Sequence, residues 1–305
     1  MDVSVIVCAY SLERYHYLLD TIQSLVHQLH PAGEIIIVVD NNASLYQQIS
    51  SDAIAYNWHN VTLKFNEELS GLSHARNVGI RESRGDVIAF IDDDAIAAPK
   101  WTQAMVESFA SDPHVGAVTG LIVPHWENNG NWLPKELYWM ISCSYVTAST
   151  TYEVERSFGT NMAFKRTVLD RTGLFDERLG LMGKKWIGGE DTELVWRVTQ
   201  SGFKILYDPD VKVFHMIPEK RVEIDALLKR AFVGGTSEGH MIKVTRRRVS
   251  PKTRRHYLST LLFEFLPIKL RDAIVHQSRV ALKQALLVGM VLAFWGSGFF
   301  YGYVV

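Results

Sequence analysis

The first half of the chain alternates short apolar runs with stretches whose apolar residues recur every three or four positions. Residues 3–9 form a nearly continuous apolar run, Leu18, Ile22, Leu25, Val26 and Leu29 then repeat at helical spacing, and residues 34–39 are apolar again. The same reading predicts a strand at 61–65, a short helix at 75–82 and a buried strand at 87–91. Past Pro99 it predicts a helix at 101–109 and a strand at 115–123, followed by an irregular, Trp-rich segment at 124–140. Segments at 159–164 and 211–215, with a Gly-rich stretch at 180–189 opening a helix at Glu190-Asp191, complete the body. This alternation predicts an α/β class with a Rossmann-like, mostly parallel sheet flanked by helices. Ligands of such sheets collect beyond the carboxyl ends of the strands. Here those ends read Ala9-Tyr10, Asp40-Asn41-Asn42 and Asp92-Asp93-Asp94.

Composition narrows the class without naming a function. The chain has 305 residues, 47% of them hydrophobic and only 2 of them Cys, which excludes a disordered segment and a disulfide scaffold. Cys8 and Cys143 read as free thiols. Charge is uneven: residues 240–305 hold 11 Lys and Arg against 2 Asp and Glu, although the whole chain is close to neutral at −1. A basic tail can bind nucleic acid, but here it leads into an apolar segment, which favours a membrane surface and no nucleic acid. The 21 residues from Ala285 to Val305 carry no charge. As a helix at about 1.5 Å per residue they just cover a bilayer core of about 30 Å. Lys269, Arg271, Arg279 and Lys283 precede the run, as expected on a cytoplasmic side. Gly298 and Gly302 form a small-xxx-small pair suited to helix association. No signal peptide precedes the first strand, so the body is expected in the cytoplasm. The expected division is an α/β domain at 1–222, a basic helical membrane-proximal region at 223–284, and a transmembrane or membrane-anchoring helix at 285–305.

Each group of polar residues has a functional and a structural reading. Adjacent carboxylates repel one another unless a cation lies among them, so Asp92-Asp93-Asp94 reads as a divalent-metal site or as a solvated acidic turn. Asp40 at a strand end is placed to bond a nucleobase or ribose, or simply to make a turn. Asp191 at a helix start is a cap or a general base. His215 is a metal ligand or a structural histidine. Trp126, Trp132 and Trp139 suit sugar stacking, a membrane interface or the core.

In their order along residues 2–221 these segments resemble glycosyltransferase family 2, inverting enzymes with a GT-A fold. The resemblance rests on Val5-Ile6-Val7-Cys8-Ala9-Tyr10 with Glu13-Arg14, Val39-Asp40-Asn41-Asn42-Ala43-Ser44, and Gly71-Leu72-Ser73-His74-Ala75-Arg76-Asn77-Val78-Gly79. It continues through Phe90-Ile91-Asp92-Asp93-Asp94, Gly159-Thr160-Asn161-Met162-Ala163-Phe164, Gly189-Glu190-Asp191 and His215. It implies Asp191 as the catalytic base and a Mg²⁺ or Mn²⁺ ion on Asp92, Asp94 and His215. It also implies a nucleotide-sugar pocket of Ala9, Tyr10, Glu13, Asp40, Arg76, Asn77, Asp92 and Asp93, with Asn161, Glu190 and Trp126 on the acceptor side. Asn-Asn-Ala-Ser stands where the family usually has an Asp-Gly-Ser-Thr-like turn, and no Gln-x-x-Arg-Trp follows Glu190-Asp191, which favours single addition over processive synthesis.

The tail adds an acceptor to this reading. Lys243, Arg246-Arg247-Arg248, Lys252 and Arg254-Arg255 suit anionic headgroups. The expected reaction transfers one sugar from a nucleotide sugar, UDP-linked, to a polyprenyl phosphate or a polyprenyl-diphosphate-linked sugar in surface-glycan assembly. The chain is free to oligomerise. A sugar-nucleotide-forming nucleotidyltransferase would need a Gly-rich, basic loop after the first strand, and Tyr10-Ser11-Leu12-Glu13-Arg14 has no glycine. A catalytically silent membrane-anchored scaffold would have lost metal or base positions, and all are present.

Overall fold

A computed structural model describes residues 1–67, 71–128, 132–144, 148–182, 185–245 and 259–304. Its parallel half follows the apolar runs. β1 (Val3–Ala9), β2 (Glu34–Asp40), β3 (Val61–Asn66) and β4 (Val87–Asp92) are joined by α1 (Tyr15–Val26), α2 (Ala43–Ala55) and α3 (Leu72–Glu82). Runs such as Ile35-Ile36-Ile37-Val38-Val39 are buried on both faces, which only an interior strand covered by helices can satisfy. The parallel strands stand in the order β3-β2-β1-β4. Their register pairs Ala9 with Val39 and Cys8 with Asp92, so the three polar strand ends lie side by side.

Beyond β4 the strands reverse. β5 (Ala95–Ala97), α4 (Trp101–Ser111), β6 (Val115–Trp126), β7 (Tyr152–Glu153) and β8 (Asn161–Lys165) follow in sequence. α5 (Arg166–Thr172), the short strands β9 (Gly180–Met182) and β10 (Lys185–Ile187), α6 (Glu190–Gln200) and β11 (Lys204–Ile217) come next. β8 lies antiparallel between β4 and β6, and β11 lies antiparallel to β5. Two registers carry the chemistry: Ile91 faces Asn161, which brings Thr160 beside Asp92, and His215 faces Ala95, which brings it beside Asp94. Ile6, Ile36, Phe90, Phe164, Leu194 and Val198 share the core under this surface.

One expected core position is corrected. α1 ends at Val26, so Leu29 falls past the helix and is exposed, while Gln28 turns inward. Its amide donates to Ser24 O and Ala98 O, each at 2.9 Å, and its carbonyl accepts from Thr102 N at 3.1 Å. A polar side chain that fully bonds three segments thus replaces the leucine contact.

The chain forms two compact units that are discontinuous in sequence. The first comprises Met1–Pro124, Thr147–Lys185 and Glu190–Met216; the second comprises His125–Val146, Trp186–Gly189 and Ile217–Val305. The expected linear boundary at 222 falls inside the second unit. That unit holds a 3-10 turn at Lys135–Ile141, α7 (Ile224–Thr245), a π-type turn at Thr260–Phe265 leading into the helix Leu266–Val275, and the apolar helix Arg279–Val304. Arg246-Arg247-Arg248, Lys252 and Arg254-Arg255 lie outside the described residues.

Candidate active site

The acidic triplet leaves the end of β4 with each carboxylate assigned. Asp92 is half-buried and accepts from Thr160 Oγ1 at 2.6 Å. Asp93 and Asp94 are buried, and the Arg14 guanidinium lies 2.6 Å from a carboxylate oxygen of each. His215 is fully buried, with Nε2 at 3.1 Å from Asp94 Oδ1. Burial works against the Arg14 cation, but Asp93 and Asp94 outweigh it and raise its pKa.

Asp92, Asp94 and His215 offer one ligand atom each, all within 4.8 Å of one another. Two carboxylate oxygens and one imidazole nitrogen suit a small divalent ion such as Mg²⁺ or Mn²⁺, and two of the three residues are buried, which keeps competing water out. The residues present therefore fit the expected metal. Of the Glu13-Arg14 pair, Glu13 is exposed and Arg14 reaches the aspartates. The signal available for Arg14 was its charge beside a strand end that faces three acids.

A second carboxylate pair stands at the start of α6. Asp191 Oδ2 accepts from Gly159 N at 3.1 Å, and its Oδ1 accepts from Thr192 N at 2.6 Å. Gly159 and Thr160 are consecutive, so one dipeptide holds Asp191 with its amide and Asp92 with its hydroxyl. Arg76 links the same groups: Nη1 donates to Glu190 Oε1 at 2.9 Å, and Nη2 lies 3.7 Å from Asp92 Oδ1. A Cβ on Gly159 would sit 2.2 Å from Arg76 Nη2, so only glycine leaves room for the guanidinium. Burial disfavours the Arg76 cation, yet Glu190 and then Asp92 hold its pKa up. Burial, with Asp191 adding, pushes the Glu190 carboxyl upward against the pull of Arg76.

Breaking this pair from one side is expected to be costly. Arg76→Met leaves Glu190 buried without its cation, and urea unfolding should show a loss of about 3–5 kcal/mol. A loss within 1 kcal/mol, roughly the scale of an exposed pair, would mean that the pair contributes little.

A third polar group is built on the Asp40 turn. Asp40 is buried and accepts from Asn66 Nδ2 at 2.6 Å. Asn41 takes φ +46°, the left-handed conformation that asparagine tolerates, so the turn keeps its geometry without a glycine. Asn42 caps α2 by accepting from Leu45 N at 3.0 Å, and its Nδ2 donates to Tyr10 O at 3.0 Å. Tyr10 is exposed and Ala9 buried beside them.

Several expected contacts take other roles. Asn77 is buried and bonds both backbone groups of Phe175, at 3.0 Å each, so it ties α3 to that loop. Asn161, expected on the acceptor side, is fully buried, donating to Val211 O at 2.8 Å and accepting from Trp101 Nε1 at 2.9 Å, so its amide joins β11 and α4. Glu190, also expected there, is engaged in the ion pair with Arg76. Asp93 pairs with Arg14. Trp126 belongs to the second unit, where it packs edge-on against Tyr138.

Cys8 lies at the end of β1 among these acids. Burial pushes its thiol up to about 12, with Asp92 and Asp40 adding and Arg76 opposing, and Cys143 is buried. A thiol this far above neutral pH holds almost no thiolate. Iodoacetamide at pH 8 is expected to leave both cysteines unmodified in the folded protein and to alkylate both after unfolding. Rapid modification of the folded chain would contradict this placement.

Known proteins show the same arrangement of sequence and fold. Residues 4–173 match the model of glycosyl transferase family 2. A glucosyl-dolichyl phosphate glucuronosyltransferase of Haloferax volcanii is 31% identical over 305 residues, covering 99% of this chain and 96% of that protein. The succinoglycan biosynthesis protein ExoM of Rhizobium meliloti is 27% identical, over 79% of this chain and 75% of its own length. The structure of the mannosyltransferase PcManGT from Pyrobaculum calidifontis, in complex with GDP-Man and Mn²⁺, superposes with a TM-score of 0.64 at 19% identity, covering 96% of this chain and 85% of that one. At that identity the likeness is one of fold. The chain has the GT-A fold and belongs to glycosyltransferase family 2.

Proposed function

We propose that this glycosyltransferase is metal-dependent and inverting, and that it moves one sugar from a nucleotide sugar, UDP-linked, to a hydroxyl of a lipid-linked sugar at the cytoplasmic face of a membrane. The observation that carries the reading is the dipeptide Gly159-Thr160, which holds Asp191 at 3.1 Å and Asp92 at 2.6 Å. A base and a donor-side carboxylate are thereby fixed to one rigid point of the sheet.

Inversion needs attack on the anomeric carbon from the side opposite the leaving diphosphate. Asp191 takes the proton of the attacking hydroxyl at its carboxylate. Asp40, Ala9 and Tyr10 receive the nucleobase, and Asp92 receives the ribose end. Asp92, Asp94 and His215 would hold a Mg²⁺ or Mn²⁺ ion, which when bound neutralises charge on the diphosphate. The Arg14 guanidinium adds a fixed positive charge on the same side.

The presence of a base favours one acceptor over the other. A polyprenyl phosphate is already an anion at neutral pH, whereas a sugar hydroxyl must lose a proton as it attacks. The lipid-linked sugar is therefore the better fit. The lipid part of the reading is supported by the apolar helix and by the similarity to a protein named for action on a dolichyl-linked glucose.

Stereochemistry tests the proposal. With a donor of known anomeric configuration, proton NMR of the first product should show the opposite configuration at the transferred sugar. Retention would reject a single displacement with Asp191 as base.

A further inference from the structure

The apolar helix Arg279–Val304 has 26 residues and is the one helix among those described that is long and apolar enough to cross a membrane. At 1.5 Å per residue it spans about 39 Å, more than the bilayer core of about 30 Å. Length alone makes it a transmembrane span. Its packing within the second unit argues otherwise.

α7 lies against it through glycines on both sides. A Cβ on Gly235 would sit 2.0 Å from Trp295 O, and one on Gly239 would sit 2.3 Å from Phe299 O. From the other helix, a Cβ on Gly298 would sit 2.0 Å from Phe232 O, and one on Gly302 would sit 2.0 Å from Thr236 O. No side chain larger than hydrogen fits at these four positions, so the two backbones are in direct contact. The contacts also fix direction: four residues further along α7 meet four residues further along the apolar helix. The pair is parallel, and it ends level, with Lys243 Nζ donating to Val304 O at 3.0 Å.

Because the two helices run parallel and end level, their C-terminal ends lie at the same depth. If Val304 crossed to the far side, Thr245 would cross with it, together with Glu238, His240 and Lys243. Residues 246–255 would follow them across, carrying Arg246-Arg247-Arg248, Lys252, Arg254 and Arg255. Moving such a run across opposes the positive-inside bias. The chain would then have to return through the bilayer to reach Arg279, and the described residues hold no second helix suited to that.

The apolar helix is also sided. Ala281, Ala285 and Val288 are buried, and Gln284 Nε2 donates to Trp132 O at 2.8 Å, so one face rests on protein. Leu282, Leu286, Met290, Phe294, Phe300 and Tyr301 form an exposed stripe along the other face. Phe263 and Ile274, each 77% exposed, add apolar surface on the preceding turn and helix. Arg271, Arg279 and Lys283 are exposed cations beside this apolar surface. Apolar side chains with adjoining cations are what a bilayer interface with anionic headgroups accepts.

We propose that the C-terminal helices bind one face of an anionic bilayer without crossing it, so that Val304 stays on the same side as the catalytic body. This rests on the membrane part of the proposed function and sets its geometry: the acceptor lipid is met from the plane of a single leaflet.

The test uses the full chain in sealed inverted and right-side-out vesicles from expressing cells. Val304→Cys and, on the exposed surface of α2, Ser51→Cys are labelled separately with a membrane-impermeant maleimide. Both are expected to react from the same side of the membrane, and neither from the other side until detergent is added. Reaction of the two variants from opposite sides would overturn the proposal. Purified wild-type chain should also co-sediment with phosphatidylcholine vesicles containing phosphatidylglycerol, and failure to bind them would overturn it as well. Release of nucleoside diphosphate, measured in the same preparations, reports on the transfer reaction independently: opposite-side labelling with intact release removes the topology alone.

Discussion

Asp191→Asn is expected to lower turnover by about 10²–10⁴-fold, the usual contribution of a positioned general base. Asparagine has nearly the same shape, and its one side-chain oxygen can still accept from Gly159 N or from Thr192 N, though not from both as the carboxylate does. Most of the geometry is kept while basicity is lost. Affinity for the nucleoside diphosphate, measured by calorimetry, should therefore stay close to wild type, because the proposed base acts on the acceptor hydroxyl. The acceptor makes the test sharper. A lipid phosphate that needs no deprotonation should be affected far less than a lipid-linked sugar. Near-normal turnover on the sugar acceptor would remove Asp191 from the mechanism.

The second large effect is expected at Asp94. Asp94→Ala removes one of the three atoms that converge within 4.8 Å, and it also strips Arg14 and His215 of their shared carboxylate. Loss of groups that merely orient a metal ligand costs about 10–100-fold in affinity, so loss of a ligand should cost at least that. Mn²⁺ binding followed by electron paramagnetic resonance, without nucleotide and without turnover, reads this directly. Asp93→Ala is the control: Asp93 lies outside the converging trio and pairs with Arg14. Its effect on Mn²⁺ affinity should be much smaller. Equal losses in the two variants would mean that the acidic turn acts only through its total charge.

Most of the sheet was legible because its strands are continuous Val and Ile runs and its polar residues stand at the strand ends. Asp40, Asp92 and Asp94 could be found from that pattern alone. The residues that join them could not, because their placement depends on register. Thr160 reaches Asp92 only because β8 enters antiparallel with Asn161 opposite Ile91, and His215 reaches Asp94 only because β11 pairs with β5. The same register explains why Asn161, at the start of a motif segment, is a sheet residue that bonds Val211 and Trp101. Arg14 crosses from the start of α1 to the acidic turn, a contact no local spacing announces. In the tail, Gly298 and Gly302 were visible as a small-residue pair, but Gly235 and Gly239 were hidden in a helix with ordinary polar content. Their partnership packs the apolar helix directly against α7.

Release of nucleoside diphosphate from a panel of nucleotide sugars tests metal-dependent transfer to a lipid-linked sugar. It should be measured with and without Mg²⁺ or Mn²⁺, and with polyprenyl phosphate or a polyprenyl-linked sugar in detergent. One donor is expected to release its nucleoside diphosphate, dependent on the metal and stimulated by the lipid-linked sugar more than by the lipid phosphate. Full release in the presence of a chelator, or from a soluble acceptor with no response to lipid, would contradict it.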